Sequence, residues 1–169
     1  MLIVISGLPG TGKSAVAAEL AARLDAVHLS VDTIEEALRG TGLPPSWKTG
    51  VAAYEAARAA AEQNLVLGRT VVVDAVNDSE PARDTWRAGS ARTGARLVFV
   101  LLTLDDETEH RRRLEGRVRN LTTIPEPTWD DVRARAAAYA PWDEGCVRVR
   151  AEEPVERVAL TILSQLPHV

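Results

Sequence analysis

Near its beginning the chain reads Leu2-Ile-Val-Ile-Ser-Gly-Leu-Pro-Gly-Thr-Gly-Lys-Ser14. Residues 2–5 are a short apolar run typical of a β-strand, and the segment Gly7–Ser14 fits the pattern Gly-x-x-x-x-Gly-Lys-Ser. An Ala/Leu-rich helical pattern follows at once. Strand, glycine-rich loop and helix in this order are the context that a phosphate-binding loop requires. The stretch therefore predicts a site for a nucleoside triphosphate.

The residue types of the loop explain how it would hold the triphosphate. Its glycines let the backbone bend so that successive N–H groups point inward and, with the N-terminus of the next helix, form an anion site. Lys13 can bridge the β- and γ-phosphates, and the Ser14 hydroxyl can ligate Mg²⁺. The motif predicts ATP with Mg²⁺ and leaves GTP open as the nucleotide. We expect nucleotide contacts from Gly7, Leu8, Pro9, Gly10, Thr11, Gly12, Lys13, Ser14 and Ala15.

Size and composition indicate a globular protein. The 169 residues suit a single domain, 1–169, with a full core. No apolar run reaches membrane-spanning length and no signal peptide precedes the first strand, so we expect no membrane association. The lone Cys146 has no internal disulfide partner, which favours a cytoplasmic location. A net charge of −4 argues against nucleic acid as a partner. Monomer and homodimer both stay open.

Aspartates follow two of the β-prone runs. Residues 26–31 end at Asp32 and residues 69–73 end at Asp74. The carboxyl ends of parallel strands face the ligand crevice, so both carboxylates are candidate site residues. Asp32 has two interpretations: a base that accepts the proton of a substrate hydroxyl, or the N-cap of the next helix. For Asp74 we favour a role at the Mg²⁺ site together with Ser14, over that of a turn aspartate.

Two further segments are candidates for the walls of the site. Residues 33–67 are an insertion suited to bind the acceptor, with a helix expected from about residue 51. Trp47 and Tyr54 are candidates there for contact with a ring, although an aromatic residue at a helix start more often simply packs. Residues 111–128 resemble a lid: an arginine-rich helix followed by a proline-containing return. Arg113 and Arg117 are four residues apart, which predicts one helical face, and arginine stabilises a phosphoryl group in transfer. A solvated charged face would explain the same arginines without a function.

The fold class follows from the alternation of elements. Five β-prone runs alternate with helical patterns, which predicts a five-stranded parallel sheet in a three-layer α/β/α sandwich. His28 lies inside the second run, and we expect it to be packed and hydrogen-bonded. The segment Thr128–Asp131 has the pattern of a capping box at a helix start. The runs are 2–5, 26–31, 69–73, 96–104 and 146–150.

Taken together, these motifs resemble the small P-loop kinases, in the AAA-type ATP-binding branch that contains chloramphenicol phosphotransferase, zeta toxins and the kinase domain of phage-type polynucleotide kinases. In those enzymes an aspartate after the second strand is the base, and Asp32 matches it. The segment Val31–Ala37 is similar to that of chloramphenicol phosphotransferase. Arg113 and Arg117 resemble the paired lid arginines. Where polynucleotide kinases carry Asp-x-x-Arg, this chain has Glu35, which counts against a polynucleotide acceptor.

The resemblance implies a cytoplasmic ATP- and Mg²⁺-dependent phosphotransferase. Its expected reaction moves the γ-phosphate to a hydroxyl of a small-molecule acceptor that is antibiotic-, sugar- or nucleoside-like. The catalytic residues would be Asp32 as base with Lys13, Arg113 and Arg117, and the metal residues Ser14 and Asp74. The alternatives are a nucleotide-dependent ATPase or switch without its own acceptor, and a polynucleotide 5′-end kinase.

Overall fold

The computed structural model describes residues 1–119, 121–142 and 145–167. Its strands are β1 (Leu2–Ser6), β2 (Val27–Ser30), β3 (Val71–Asp74), β4 (Leu97–Thr103) and β5 (Val147–Arg150). Its helices are α1 (Lys13–Leu24), α2 (Val31–Gly40), α3 (Trp47–Leu65), α4 (Glu80–Thr93), α5 (Glu107–Gly116), α6 (Trp129–Ala138) and α7 (Val155–Gln165). In these residues no helix has the length and apolarity to cross a membrane.

The strands form one parallel sheet in the order β2-β3-β1-β4-β5. Strand β1 lies at its centre, and all of its residues are buried, as expected for a continuous apolar run in a parallel sheet. Ile3 and Ile5 face a core with α1 and α7, whereas Leu2 and Val4 face a second core with α3 and α4. The predicted five-stranded parallel sheet in a three-layer sandwich is confirmed.

A buried hydrogen-bond network fixes the loop after β3 beside the end of β1. Asn77 has the positive φ of 54°, and its Nδ2 donates to Ser6 Oγ at 2.8 Å. Trp86 Nε1 donates to Asn77 Oδ1, and Arg83 Nε donates to the Asn77 carbonyl. Arg83 is fully buried and also donates to the carbonyls of residues 140–141. The network therefore links the carboxyl end of β1, beside the phosphate-binding loop, to the chain that follows α6.

Two helix boundaries differ from the predicted ones in ways that affect the site. Helix α3 begins at Trp47, where Ser46 accepts a hydrogen bond from the Thr49 amide, and not near residue 51. Helix α5 ends at Gly116, so Arg117 lies beyond it in extended backbone. Arg113 and Arg117 thus do not share a helical face, and this prediction is wrong. Glycine has a low helix propensity, which agrees with the end of α5. The predicted capping box of α6 is present.

Candidate active site

The glycine-rich loop between β1 and α1 has the backbone that the motif requires. A Cβ at Gly7 would lie 2.5 Å from the Leu102 carbonyl oxygen, so a side chain does not fit there. Gly12, the N-cap of α1, has φ of 90°, a conformation that L residues rarely adopt. The loop closes on itself, because both Thr11 Oγ1 and Lys13 Nζ donate to the Leu8 carbonyl, at 2.9 and 3.0 Å. Its backbone is therefore preformed for an anion.

Lys13 is a buried cation at the centre of this loop. Desolvation by burial lowers the pKa of its ammonium group from 10.5 to about 8. The nearby charges of Asp32 and Asp74 raise this pKa, and those of Arg117 and Arg119 lower it. These charged groups affect the pKa of Lys13 because their side chains lie close to its ammonium group. An incoming phosphate would be a further negative neighbour and would favour the charged ammonium.

Asp74 lies at the end of β3 against the start of α1. Its side chain is 3% exposed, and its Oδ2 accepts a hydrogen bond from Ser14 Oγ at 2.7 Å. His28 Nε2 lies 2.7 Å from Asp74 Oδ1. His28 is hydrogen-bonded as expected, but the sequence did not indicate that its partner would be Asp74. Because β2 and β3 pair in register, with His28 opposite Val72, the two side chains fall on one face of the sheet.

The Ser14–Asp74 pair fits a magnesium site. Both groups present oxygen, which Mg²⁺ prefers, and Mg²⁺ in nucleotide sites uses few protein ligands because phosphate oxygens and waters complete its octahedron. Within 1–119, 121–142 and 145–167, no group of three or more His, Cys, Asp or Glu side chains could hold a metal ion. Ser14 and Asp74 are the residues that would hold the ion with the substrate's phosphates.

Asp32 lies in the first turn of α2, at the same edge of the sheet. The N-cap of this helix is Ser30 and not Asp32, so the capping interpretation of Asp32 is wrong. The Asp32 side chain is 45% exposed, and its Oδ2 accepts a hydrogen bond from Arg119 Nη1 at 2.8 Å. Asp32 lines the same cleft as Lys13 and Ser14. Its carboxylate is thus held in the cleft by an arginine and not by the helix backbone.

The arginines of the segment after α5 have different surroundings. Arg113 Nε donates to Glu109, and its Nη1 donates to the Ala151 carbonyl at 2.6 Å, so its guanidinium fastens α5 to the chain after β5. Arg117 is half-buried and pairs with Glu126, and burial lowers the pKa of its guanidinium. Arg119, which sequence reasoning did not single out, bridges Asp32 and Glu126.

Glu36 fastens the tip of the same segment to α2. Its carboxylate accepts hydrogen bonds from the amides of Thr122, Thr123 and Ile124 and from both threonine hydroxyls. These donors hold the pKa of the Glu36 carboxyl at about 2. One helix therefore carries both Asp32 and the anchor of the lid-like segment. No local sequence pattern signals this contact, because its partners are far apart in the chain.

These elements enclose one cleft with a volume of about 530 Å³. The phosphate-binding loop and Arg113 line one half. The other half, called the acceptor half, is lined by α2, residues 117–119, residues 124, 125 and 127, and α6. Of the predicted insertion 33–67, the residues in the wall are Glu35 and Arg39. Trp47 and Tyr54 are not: Trp47 is 74% exposed outside the cleft, and the Tyr54 hydroxyl accepts a hydrogen bond from the Asn77 amide. The expectation that they line it is wrong.

Comparison with known proteins agrees with this architecture. The model of a family described as "AAA domain" matches residues 2–139. A putative kinase from Chloroflexus aurantiacus superposes with a TM-score of 0.77 at 16% identity, over 98% of each chain. A gluconokinase from Sinorhizobium meliloti gives 0.67 at 22% identity, over 96% of this chain and 91% of that one.

A third similar structure is the tunicamycin resistance protein of Deinococcus radiodurans, with a TM-score of 0.70 at 17% identity, over 97% of this chain and 94% of the other. A search of curated protein sequences finds no significant match. At these identities the likeness shows the fold alone, which is that of the small P-loop kinases.

Proposed function

The chain belongs to the AAA domain family, and from the chemistry of its cleft we propose that it is an ATP- and Mg²⁺-dependent kinase acting on a hydroxyl of a small molecule. One observation carries the proposal. The half-exposed carboxylate of Asp32 lines the same cleft as Lys13 and Ser14 of the phosphate-binding loop. A carboxylate beside a triphosphate site has the position that a base for an acceptor hydroxyl needs.

In the proposed reaction the acceptor oxygen forms a bond to the γ-phosphorus. The bond from that phosphorus to the β–γ bridging oxygen breaks, and ADP leaves with the bridging oxygen. Asp32 accepts the proton of the hydroxyl and later releases it to water. The products are a phosphomonoester and ADP. Arg119 keeps the Asp32 carboxylate oriented through its hydrogen bond to Oδ2 and leaves Oδ1 for the hydroxyl.

Negative charge on the transferring phosphoryl group would be stabilised by the phosphate-binding loop and by the lid. The loop amides and Lys13 would face the phosphates, and Arg117 lines the same cleft. When bound by Ser14 and Asp74, Mg²⁺ would neutralise charge on the β- and γ-phosphate oxygens. We assign Arg117 to the phosphoryl group, because its charge lies close enough to Lys13 to lower the pKa of that ammonium group. We assign Arg113 to the support of the lid, because its guanidinium is tied to Glu109 and to the Ala151 carbonyl of the backbone. The lid, residues 111–128, would exclude water.

The test is acceptor-dependent ADP release with MgATP across sugars, sugar acids, nucleosides, aromatic alcohols and a 5′-hydroxyl oligonucleotide. We expect Asp32→Asn to bind ATP as the wild type does and to lose acceptor-stimulated turnover by about a hundredfold or more. Asp84→Asn is the matched control, because Asp84 is an exposed aspartate of α4 outside the cleft. Full turnover in Asp32→Asn would refute the role of Asp32 as base.

A second candidate is a nucleotide-dependent switch that has no acceptor of its own. The observation that favours it is the ion pair between Asp32 and Arg119, which engages the carboxylate in the absence of any acceptor. A switch would hydrolyse ATP slowly and would not respond to any hydroxyl compound. In a switch, Asp32→Asn would alter lid closure and thereby change the affinity for ATP. In a kinase, the affinity of Asp32→Asn for ATP should equal that of the wild type.

A further inference from the structure

The acceptor half of the cleft has charged and aliphatic side chains only. Its charged groups come from α2, α6 and the lid: Asp32, Glu35, Arg39, Arg117, Arg119, Asp131 and Arg135. Between them lie Ile124, two prolines and Val132. No aromatic ring belongs to the described lining of this cleft. The chemistry of the wall therefore offers charge-assisted hydrogen bonds and short aliphatic contacts.

Five aromatic residues are packed against other rings outside the cleft. Tyr54 packs on the fully buried Trp86, and Phe99 packs on Trp142. Trp129 stands edge-on to His110 on the other side of the phosphate-binding loop. Stacking on an aromatic side chain contributes about 1–3 kcal/mol for each base bound. An acceptor with a nucleobase or a phenyl ring would find no such partner in this wall.

Every guanidinium group of the acceptor half already has a carboxylate partner. Arg39, Arg117, Arg119 and Arg135 each have a carboxylate oxygen within 4.0 Å. Recognition of a phosphate usually relies on guanidinium groups that are free for bidentate contact. A phosphate group on the acceptor would therefore have to displace one of these carboxylates.

Glu35 and Arg39 form the part of the wall best suited to hydroxyl groups. Arg39 Nη2 lies 2.5 Å from Glu35 Oε1, and the side chains are 14% and 17% exposed. Arg39 Nη1 also donates to the Thr123 carbonyl of the lid. A hydroxyl both donates and accepts, so it can donate to a free lone pair of Glu35 and accept from Arg39. A neighbouring pair of hydroxyls on a saturated ring or chain matches this arrangement.

We propose that the acceptor is a saturated polyhydroxylated compound of the sugar class without a phosphate group, and that Glu35 and Arg39 select it. The proposal rests on the proposed kinase function and narrows it. Asp32 and Glu35 are one helical turn apart on α2, on the face toward the cleft. One hydroxyl of the acceptor would thus meet the base while others contact the Glu35–Arg39 pair.

The experiment measures ADP release with MgATP in the presence of monosaccharides, sugar acids, alditols, nucleosides, nucleoside monophosphates and aromatic alcohols. Glu35→Gln and Arg39→Met are expected to raise the KM for the sugar-class acceptor about ten- to hundredfold, since hydrogen bonds to charged groups are lost. Their kcat at saturation and their KM for ATP should change by less than about threefold. An ion pair that only stabilised α2 would not raise the KM for the acceptor while leaving kcat and the KM for ATP nearly unchanged.

Glu62→Gln is the matched control. Glu62 pairs with Arg58 four residues earlier on α3, also at 2.5 Å with a 14% exposed guanidinium, but outside the cleft. It should leave every kinetic constant unchanged. Stimulation by nucleosides or aromatic alcohols and not by the sugar class would overturn the inference and leave the kinase intact. A KM for the sugar-class acceptor unchanged in Glu35→Gln and Arg39→Met would also overturn it. ATP binding without stimulation by any acceptor would overturn the kinase itself.

Discussion

Raising the pH from about 7 to about 9 is expected to weaken MgATP binding about tenfold, because the pKa of Lys13 is about 8 in the nucleotide-free protein. Only the charged ammonium attracts the β- and γ-phosphates. About nine-tenths of the protein carries that charge at pH 7 and about one-tenth at pH 9. In the complex the phosphates keep Lys13 protonated. Binding at high pH must therefore take up a proton, so affinity falls as the pH rises.

The assay is isothermal titration calorimetry of MgATP binding in two buffers with different enthalpies of ionisation. The expected uptake rises from about a tenth of a proton at pH 7 to about nine-tenths at pH 9. In Lys13→Arg the guanidinium stays charged, so the pH dependence should disappear. Arg117→Ala should reduce it, because the charge of Arg117 lowers the pKa of Lys13. Constant affinity with no proton uptake across this range would refute the argument that burial sets the charge of Lys13.

Three further substitutions test other parts of the site. Glu36→Ala releases the lid from α2 and lets water reach the phosphates, so the ratio of inorganic phosphate to phosphorylated product should rise. An unchanged ratio in a coupled assay would contradict the role of Glu36 as the anchor of the lid. Arg83→Met leaves the carbonyls of Asn77, Ala140 and Pro141 without this donor. It should cost about 2–4 kcal/mol in urea unfolding, because hydrogen bonds from a charged group are lost. A cost below about 1 kcal/mol would show that the network is dispensable. Thermal stabilisation by ATP depends on Mg²⁺, and Asp74→Asn should raise the Mg²⁺ concentration at which it is half-maximal about tenfold. An unchanged concentration would show that Asp74 does not contribute to the metal site.

The fold could be predicted from local patterns. The glycine-rich loop needs its residues at fixed spacing within one segment, and parallel strands alternate with helices because each crossover must cover the sheet. Asp74 could be selected as a candidate for the same reason, because it ends a buried apolar run. Its hydrogen bond to Ser14 adds a contact that supports this assignment.

The contacts that shape the acceptor half could not be predicted in this way. Arg119 and Asp32 are 87 residues apart, as are Glu36 and Thr123, and no local pattern specifies such pairs. Arg119 was one arginine among several in a charged run. The structure distinguishes it by the ion pair with Asp32, whereas Arg113 is tied to backbone carbonyls. Ring contact was the less favoured interpretation of Trp47, and helix α3, which begins at this residue, turns its side chain to solvent.

The most direct test of the central claim is ³¹P NMR of a reaction of the protein with MgATP and a sugar-class acceptor, beside the same reaction with Asp32→Asn. A phosphomonoester resonance is expected to grow in step with ADP in the wild type and to be absent in Asp32→Asn. Growth of inorganic phosphate alone, with or without the acceptor, would contradict it. The protein would then be an ATPase or a switch, and its cleft would not serve transfer to a hydroxyl.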